Sequence, residues 1–421
     1  MSNPETAPAK GNLLLEEAQA SIFKNKNFLL LWGAALLSSF GISFFLFSQS
    51  WYVVQVLNLE ASLGLIFIAS SIPRLLFMVI SGTIADRYSK TKIMFISDFS
   101  RSVLLIGLVA WFFFGEITLW TFVVIAFFFG ILDAFFWAAS GAILPTIIKS
   151  ENLTRGNSII QMTSQSSFIV APMIAGLIIA FGNYEVVFGT TAVMLFIASI
   201  LISFMKVSKA SAKNETEGQS FWETFKEGIS YVKNSRLLTL VILTTVFMNL
   251  FIVGPMTMGL PLFVKNILQG DALAFSLLEA GLAVGMLVGS IVVAVLNLSR
   301  KRGLIGLTLL IIGGMLFIGV SFTTQLWVSM IILGLFGACL SGSNIPTVSA
   351  IQSVIEEKVL GRVMGLISLA SMGLIPVSFA ITSFVLSLGI SIHIIMAVGA
   401  ALVVVYSTFV LISFKELREL N

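Results

Sequence analysis

Two charged residues stand inside long apolar stretches of the sequence. Asp133 occupies the run Gly130-Ile-Leu-Asp133-Ala-Phe-Phe-Trp137, and Arg74 directly follows Pro73 in an earlier stretch. If these stretches cross a bilayer, each charge costs at least ~2.5 kcal/mol to insert, which makes it a functional candidate by default. Burial favours the neutral form of a carboxyl group, whereas a neighbouring arginine favours the ionised form. Such a carboxyl group can bind and release a proton when the arginine moves.

Asp133 and Arg74 are expected at comparable depth, because each lies well inside its stretch and both stretches run in the same direction. We therefore expect the two side chains to pair or to share a water-filled cavity. Asp133 is the first candidate for a proton carrier. The alternatives are a fixed ion pair that only orients two helices, and a boundary of the fourth span that differs from the predicted one.

Glu279 is the second acidic candidate for proton coupling. It precedes Gly281, Gly285 and Gly289. Glycines at four-residue spacing predict a face at which two helices pack closely. The alternative is a glutamate at the membrane interface, beside that packing face.

Further polar and aromatic side chains are candidates for lining a substrate cavity. They are Gln49, Trp51, Trp137, Gln161, Gln165, Asn249 and Asn344. Aromatic walls with few polar groups suit a bulky, amphipathic small molecule. For each polar residue, the alternative is a hydrogen bond to a neighbouring helix.

The elements that position these residues are predicted to be membrane-spanning helices. Of the 421 residues, 57% are hydrophobic and 10% are charged, which is about half the charged fraction of a soluble domain. The apolar residues form blocks of about 20, long enough as helices to cross a hydrocarbon core of ~30 Å. The predicted spans are 28–56, 62–84, 92–115, 117–141, 157–181, 184–205, 237–264, 272–296, 303–322, 326–349, 362–386 and 390–413.

The twelve predicted spans divide into two similar halves. Six lie in 28–205 and six in 237–413, and in each half a proline, Pro172 or Pro376, falls within the fifth span. Matching halves are typical of transporters in which two bundles rock about a central site.

Polar segments flank and join the two halves. The N-terminal segment is 1–27, the linker is 206–236, and the C-terminal tail is 414–421. Within the linker, 221–234 has the periodicity of an amphipathic helix lying on the membrane surface. The alternative for that stretch is a plain linker.

The basic residues predict the orientation of the chain. Of the 24 lysines and arginines, all fall on one side of the predicted spans except Arg74, Arg101 and Lys265. The positive-inside rule places that side, and with it both chain ends, in the cytoplasm. The formal net charge of +4 is explained by this orientation and does not indicate nucleic-acid binding.

Sequence motifs for enzymes and metal sites are not found. Cys339 is the single cysteine, which excludes an intrachain disulfide and a cysteine cluster for zinc. There is no HExxH or GxSxG motif, and no Gly-Lys dipeptide from which a phosphate-binding Walker loop could form. We therefore expect no enzyme, no metal and no cofactor. A sensor or assembly scaffold remains an alternative to a transporter.

The stretch Gly82-Thr-Ile-Ala-Asp86-Arg87-Tyr-Ser-Lys90, between the second and third spans, resembles the signature motif of the major facilitator superfamily. Gly82 is expected to allow a close approach of two helices. Asp86 is expected to face the positive end of the eleventh helix. The resemblance implies that Gly82, Asp86, Arg87 and Lys90 form a cytoplasmic latch that biases the outward–inward equilibrium.

Asp98 and Arg101 lie three residues apart near the cytoplasmic end of the third span. They resemble the acidic–arginine pair that follows this motif. We expect them to form a local ion pair that supports the latch.

The fifth span carries a second motif, Ser167-Phe-Ile-Val-Ala171-Pro172-Met-Ile-Ala175-Gly176. It resembles the antiporter motif of drug exporters, with Ala171 and Ala175 in place of glycines. Pro172 removes a backbone hydrogen bond and is expected to kink the helix. The small neighbours would let the kink pack against a partner helix, and an ordinary proline kink is the alternative.

Longer stretches, 144–161 and 225–263, resemble the third drug:proton antiporter group, which includes macrolide-efflux and enterobactin exporters. The resemblance implies an all-α membrane protein of twelve helices in two six-helix bundles with pseudo-twofold symmetry. It also implies a monomer in the bacterial inner membrane that exports a bulky amphipathic drug, macrolide or siderophore in exchange for protons. An importer or a lipid flippase of the same fold is the alternative.

Overall fold

The computed structural model describes residues 22–182, 184–207, 230–296, 301–355 and 357–418. Every regular element in these ranges is a helix, and twelve helices are long and apolar enough to cross a membrane. The prediction of an all-α, twelve-span membrane protein is therefore confirmed. Residues 1–21 and most of the predicted linker helix, in 208–229, lie outside the described residues.

The helices follow one another in two groups of six. Helices α1 to α6 are Lys26–Gln55, Leu63–Arg87, Lys90–Phe114, Leu119–Ile147, Leu153–Ala180 and Tyr184–Ser203. Span α7 is segmented into Arg236–Met248, a π-helical turn at Asn249–Val253, Gly254–Thr257 and Gly259–Asn266. Helices α8, α9 and α10 are Ala272–Leu296, Arg302–Ser321 and Leu326–Val354, α11 comprises Glu357–Gly373 and Ile375–Ser387, and α12 is Ile392–Ser413.

The two sides of the bundle are distinguished by the chain ends. Because consecutive spans cross in opposite directions, α1 begins and α12 ends on the same side. We call this side the terminal face and the opposite side the distal face. The short connections after α1, α3, α5, α7, α9 and α11 lie on the distal face.

Polar side chains fix the starts of several spans. Asn25 Oδ1 accepts hydrogen bonds from the amides of Asn27 and Phe28, at 3.0 and 3.2 Å, and so caps α1. Ser235 Oγ accepts from the amide of Leu238 and caps α7. A helix start needs such acceptors because its first N–H groups have no partner within the helix.

Several helices extend beyond the spans predicted from hydrophobicity. Helix α2 continues to Arg87, so that the predicted loop motif from Gly82 occupies the last turns of the helix. Helix α10 likewise continues to Val354. Hydrophobicity reports only the part of a helix inside the hydrocarbon, and the ends that project into the headgroup region are polar.

The prolines in the fifth span of each half lie in different local structures. Helix α5 is continuous through Pro172. Span α11 is broken at Leu374, and Pro376 lies in the first turn of its second helix. The backbone N–H groups of a first turn have no partner within the helix, so the missing N–H of proline removes no hydrogen bond there. Ser378 then donates to the carbonyl of Leu250 at 2.7 Å and accepts from the amide of Gly254 at 2.8 Å. These two bonds satisfy the backbone around the π-helical turn of α7.

Small residues let pairs of helices pack backbone to backbone. A Cβ atom at Gly285 of α8 would overlap the carbonyl group of Gly334 of α10, and one at Gly289 would overlap Ala338. In the N-terminal half, a Cβ atom at Gly130 of α4 would overlap the carbonyl of Ser70 of α2. The packing face predicted from the glycine spacing on the eighth span is therefore present.

The two halves contact each other at the distal face. Phe47 of α1 stacks on Phe275 of α8 with ring centroids 4.5 Å apart, and Phe67 of α2 stacks on Phe379 of α11 at 4.9 Å. Ser383 of α11 donates a hydrogen bond of 2.6 Å to the carbonyl of Ala61. Nearer the terminal face, by contrast, a Cβ atom at Gly365 of α11 would meet no described atom within 4 Å. Among the described residues, the interface is therefore closely packed at the distal face and more open towards the terminal face.

We predict that Gly285→Ala destabilises the protein by roughly 1–3 kcal/mol, because the added methyl group would force α8 and α10 apart. The control is Gly107→Ala on α3, where an added Cβ atom meets no described atom within 4 Å. Thermal unfolding in detergent measures both variants. Equal melting temperatures for the two would contradict the packing argument.

Candidate functional site

Asp133 lies between two arginines inside the N-terminal half. Its Oδ2 is 3.1 Å from Nε of Arg74, and its Oδ1 is 3.0 Å from an Nη of Arg101. The predicted pairing of Asp133 with Arg74 is thus present, and Arg101 is an additional partner. One carboxylate holds α2, α3 and α4 together through its two oxygens.

The close approach of α2 and α4 produces this geometry. Gly130 lies against the backbone of Ser70. Arg74 follows Ser70 by one turn on α2, and Asp133 follows Gly130 by nearly one turn on α4, so the two side chains meet beside the glycine contact. A side chain at position 130 would separate the helices and with them the ion pair.

Arg101 connects Asp133 to a second buried carboxylate. Its guanidinium group is 3.3 Å from Oδ1 of Asp98, whose other oxygen accepts a hydrogen bond from Ser38 of α1. The rings of Phe129 and Phe136 lie 5.7 and 5.5 Å from the guanidinium carbon, a distance at which a cation interacts favourably with an aromatic ring. We call Arg74, Asp98, Arg101 and Asp133 the ion network; its formal charges sum to zero.

One end of the ion network is accessible and the other is not. The side chains of Asp98 and Arg101 are 0% exposed, whereas Asp133 is 17% and Arg74 is 36% exposed. Arg74 follows Phe67 by seven residues, so it lies on the face of α2 that contacts α11 at the distal end. Where the halves separate, this face borders the opening between them. Asp133 and Arg74 are therefore the part of the network that a proton or a solute can reach.

The expected ion pair between Asp98 and Arg101 is present, and its support of the cytoplasmic latch stays a prediction. The structure adds a second partner for Arg101, the carboxylate of Asp133. Helix α3 begins at Lys90, so Arg101 lies eleven residues, or ~16 Å, along the helix. At that depth it reaches Asp133 of α4. The spacing from the start of the third span is the signal from which this bond could have been predicted.

The predicted latch residues lie at the junction of α2 and α3. Arg87 ends α2 and Lys90 begins α3. The side chain of Asp86 lies outside the described part of the chain, so its position opposite the eleventh helix stays a prediction. The close helix contact expected at Gly82 is absent in this conformation, because a Cβ atom there would meet no described atom within 4 Å. The separation of the halves at the terminal face accounts for this space.

The antiporter-like motif lies where α5 meets the other half. Ala171, Pro172, Ala175 and Gly176 are all buried. A Cβ atom at Gly176 would lie 2.7 Å from the Cβ of Ser276 on α8. The small side chains therefore let α5 and α8 approach closely across the two halves, as the motif predicts.

Aromatic rings close the distal end of this inter-half region. Phe275 of α8 stacks against Phe47 at 4.5 Å and against Trp51 at 5.6 Å, both on α1. We call these three rings the aromatic roof. Glu279 lies one turn along α8 from Phe275 on the side of the terminal face. It is partly buried, and no hydrogen bond or ion pair joins it to another described residue.

A polar contact, which we call the distal clamp, closes the same face at the surface. Lys265 of α7 donates hydrogen bonds of 2.7 Å to the carbonyl of Val54 and to Oδ1 of Asn58, and lies 3.3 Å from Glu60. Asn266 donates to the other oxygen of Glu60 at 2.9 Å. Lys265, which the sequence analysis placed apart from the other surface cations, thus joins the two halves.

The remaining cavity candidates separate into two groups. Trp137, Gln161, Gln165 and Asn344 are exposed along their helices. Gln49 is 1% exposed and is buried inside the bundle, and Trp51 belongs to the aromatic roof. Asn249 donates a hydrogen bond of 2.9 Å to the carbonyl of Thr245 in its own helix. Gln49 and Trp51 therefore do not face open space in this conformation, whereas Asn249 is partly exposed.

This geometry defines a class of protein: a polytopic membrane protein of two helix bundles, closed at one face, with an ion network at the edge of the opening between them. Residues 31–377 match the family model described as Major Facilitator Superfamily. The chain belongs to this superfamily and is a membrane transporter by family.

Two named exporters are similar in sequence to most of this chain. Macrolide efflux protein A of Streptococcus pyogenes is 26% identical over 324 residues, covering 74% of this chain and 76% of that protein. Enterobactin exporter EntS of Escherichia coli O81 (strain ED1a) is 25% identical over 296 residues, covering 69% of this chain and 68% of that protein. Both belong to the kinds of exporter that the sequence resembles.

Solved structures share the fold. The nucleoside transporter NupG superposes with a TM-score of 0.72 at 13% identity, covering 92% of this chain and 99% of that chain. A D-xylose-proton symporter superposes with a TM-score of 0.68 at 13% identity, covering 95% and 99%. The predicted major facilitator fold is therefore confirmed.

Arg101→Leu is expected to destabilise the protein by about 3–5 kcal/mol, because it leaves Asp98 buried without a cation. Arg74→Leu should cost less, since Arg74 is partly exposed and Asp133 keeps Arg101. Thermal unfolding in detergent compares the two variants. Adding Asp98→Asn to Arg101→Leu should recover part of the loss. Equal destabilisation by the two arginine variants would contradict this account of the ion network.

Lys265→Met should increase the fraction of molecules that are open at the distal face, because it removes the ion pair with Glu60 and the hydrogen bonds to Val54 and Asn58. Loss of an exposed ion pair changes a free energy by up to about 1 kcal/mol, so we expect this fraction to rise by up to roughly fivefold. Spin labels at positions 116 and 324, in a Cys339→Ser background, report the distance between the halves at this face. Glu185→Gln, a charge change that breaks no described contact between the halves, is the control. An unchanged distance distribution would exclude a clamp function.

Proposed function

We propose that this protein exports a bulky, amphipathic small molecule across the bacterial cell membrane in exchange for protons, by alternating access. The observation that carries the proposal is Asp133, a carboxylate at membrane depth with one shielded and one accessible arginine partner. Charged groups inside a membrane are retained where they serve a pathway. An accessible end of the ion network gives protons a route to the carboxylate.

Protonation of Asp133 would change the forces inside the N-terminal half. The neutral acid no longer attracts Arg74, whereas Arg101 keeps its bond to Asp98. Arg74 is then free to move relative to α4. Proton binding would thus alter the contact between α2 and α4, and α2 also contacts α11 of the other half. The alternative from the sequence analysis, a fixed ion pair, predicts no such coupling.

Two glycines of α2 support the alternating movement. Gly64 lies at the distal end, where a Cβ atom would come 2.9 Å from the carbonyl oxygen of Phe379 on α11. Gly82 is eighteen residues, or five turns, further and therefore lies on the same face of α2. On α11, Gly365 lies in the first helix, towards the terminal face, and a Cβ atom there would likewise meet no described atom within 4 Å. We infer that Gly82 and Gly365 approach each other when the distal face opens.

Orientation and direction follow from charge and from relatives. Lysines and arginines concentrate at the terminal face, which supports a cytoplasmic location of that face and of both chain ends. An exporter would then load its substrate through the opening described here. The names of the macrolide and enterobactin exporters favour export, whereas the fold is shared with a proton symporter and does not set direction.

An energy-dissipation assay tests export and proton coupling together. Cells expressing the protein are loaded with dyes, macrolides and siderophores, and the proton gradient is then collapsed with a protonophore. Accumulation of at least one solute should rise to the level of cells that lack the protein. No rise for any of these solutes would remove the support for proton-driven export.

Asp133→Asn should abolish the dependence of efflux on the proton gradient, because an amide cannot release a proton. Glu116→Gln makes the same chemical change in the exposed connection between α3 and α4 and is the matched control. Efflux from inverted membrane vesicles, with and without an imposed pH difference, measures the coupling. Full coupling in Asp133→Asn would exclude Asp133 as the proton carrier and favour the fixed ion pair.

A further inference from the structure

Glu279 differs from the other acidic residues at membrane depth because nothing in the described part of the chain balances its charge. Asp98 and Asp133 are bonded to Arg101, and Asp133 also to Arg74. No described residue forms an ion pair or a hydrogen bond with Glu279. A carboxylate in low-dielectric surroundings must be paired or neutralised.

The helices that pack against α8 carry no cation at the depth of Glu279. Helix α10 contains no lysine or arginine at all. The single basic residues of α1 and α5 are Lys26 and Arg155, both in the first turn at the terminal face. Lys265, at the distal end of α7, is held in the distal clamp. Among the described residues no cation is thus available to Glu279, so the group is either protonated or paired with a cation that enters from outside.

The position of Glu279 on α8 makes it reachable from the opening between the halves. Phe275, Glu279 and Met286 lie on one side of the helix, because they are spaced by four and seven residues. Phe275 belongs to the aromatic roof, while Met286 is 38% exposed. Glu279 also follows Ala272 by seven residues and Ser276 by three, and both of these lie against Gly176 of α5 in the other half. Glu279 therefore lies on the side of α8 that faces the other half, one turn from the roof towards the opening.

We propose that Glu279 is the recognition site for an organic cation, which places the exported substrate among amphipathic molecules that carry a protonated amine. The proposal rests on the proposed function and names its substrate class. An ammonium group would pair with the carboxylate, and the apolar body of the molecule would lie against the rings of the roof, a surface that also attracts cations.

The empty site and the loaded site differ by one proton. When the site is empty, the Glu279 carboxyl group keeps its proton and is neutral. When a monovalent cation binds, the O–H bond breaks, the proton leaves to water in the cavity, and the carboxylate pairs with the cation. The charge at this position stays balanced in both states. A second acid, separate from Asp133, thus links a proton to the substrate directly.

Binding in detergent tests this without transport. The probes are tetraphenylphosphonium, a permanent cation, and triphenylphosphine oxide, which is neutral; calorimetry gives affinity, and a pH-stat counts released protons. We expect wild-type protein to bind the cation and to release about one proton per cation. Glu279→Gln should bind the cation at least about tenfold more weakly, without proton release, and keep its affinity for the neutral probe. Glu116→Gln should behave as wild type.

The outcomes separate this proposal from the proposed function. Equal cation affinity in wild type and Glu279→Gln, or no cation binding by wild type, would overturn it. Retained binding of the neutral probe and an unchanged melting temperature show that Glu279→Gln is folded. Because binding needs neither a gradient nor a direction, failure of proton-driven efflux in vesicles alongside selective cation binding would contradict only the export mechanism.

Discussion

A charge inside the hydrocarbon needs a counter-charge, and in the N-terminal half this requirement is met by Arg101. Its guanidinium group is fully buried and joins Asp98 and Asp133, so that α1, α3 and α4 are bonded through one residue. The packing around this group keeps its partners in place. Gly130 lets α4 approach α2, and two phenylalanine rings fill the space beside the guanidinium. The hydrophobic effect contributes little to helix packing in lipid. Ion pairs and hydrogen bonds between helices therefore contribute a larger part of the stability of this bundle than they would in the core of a soluble protein.

The two halves share a fold but not this interior. The N-terminal half holds a network whose formal charges cancel, whereas the C-terminal half holds Glu279, an acid without an ion-pair partner among the described residues. Its helices are instead joined by backbone contacts at Gly285 and Gly289 and by the bonds of Ser378 to the π-helical turn of α7. The proposed proton carrier, Asp133, and the proposed cation site, Glu279, would therefore lie in different halves.

Sequence reasoning predicted the number of spans and the pairing of Asp133 with Arg74, because both depend on local composition and on depth within a span. It missed contacts that depend on which helices are neighbours. The ion pair of Asp98 with Arg101 was predicted, but the bond from Arg101 to Asp133 was not, because the distance of Arg101 from the loop motif does not show that α4 lies beside it. The burial of Gln49 was not predicted either, because the sequence does not show which face of α1 turns into the bundle. Helix ends were predicted short, because hydrophobicity does not report the polar turns beyond the hydrocarbon.

The interactions that close the distal face are weak enough individually to be broken and replaced by others during a conformational change. The ion pair of the distal clamp is partly exposed, and such pairs contribute only ~0–1 kcal/mol. Gly64 packs closely against α11, whereas Cβ atoms at Gly82 and Gly365 would meet no described atom within 4 Å. The proposed movement would separate α2 and α11 at the distal face and bring them together at the terminal face. When two states differ by a few kcal/mol, one protonation or one bound ligand can shift the equilibrium between them, provided that the proton or ligand binds one state more tightly than the other. Among the described residues, the halves meet at the distal face through small residues, aromatic rings and Lys265, and these are the contacts that the proposed movement would have to break.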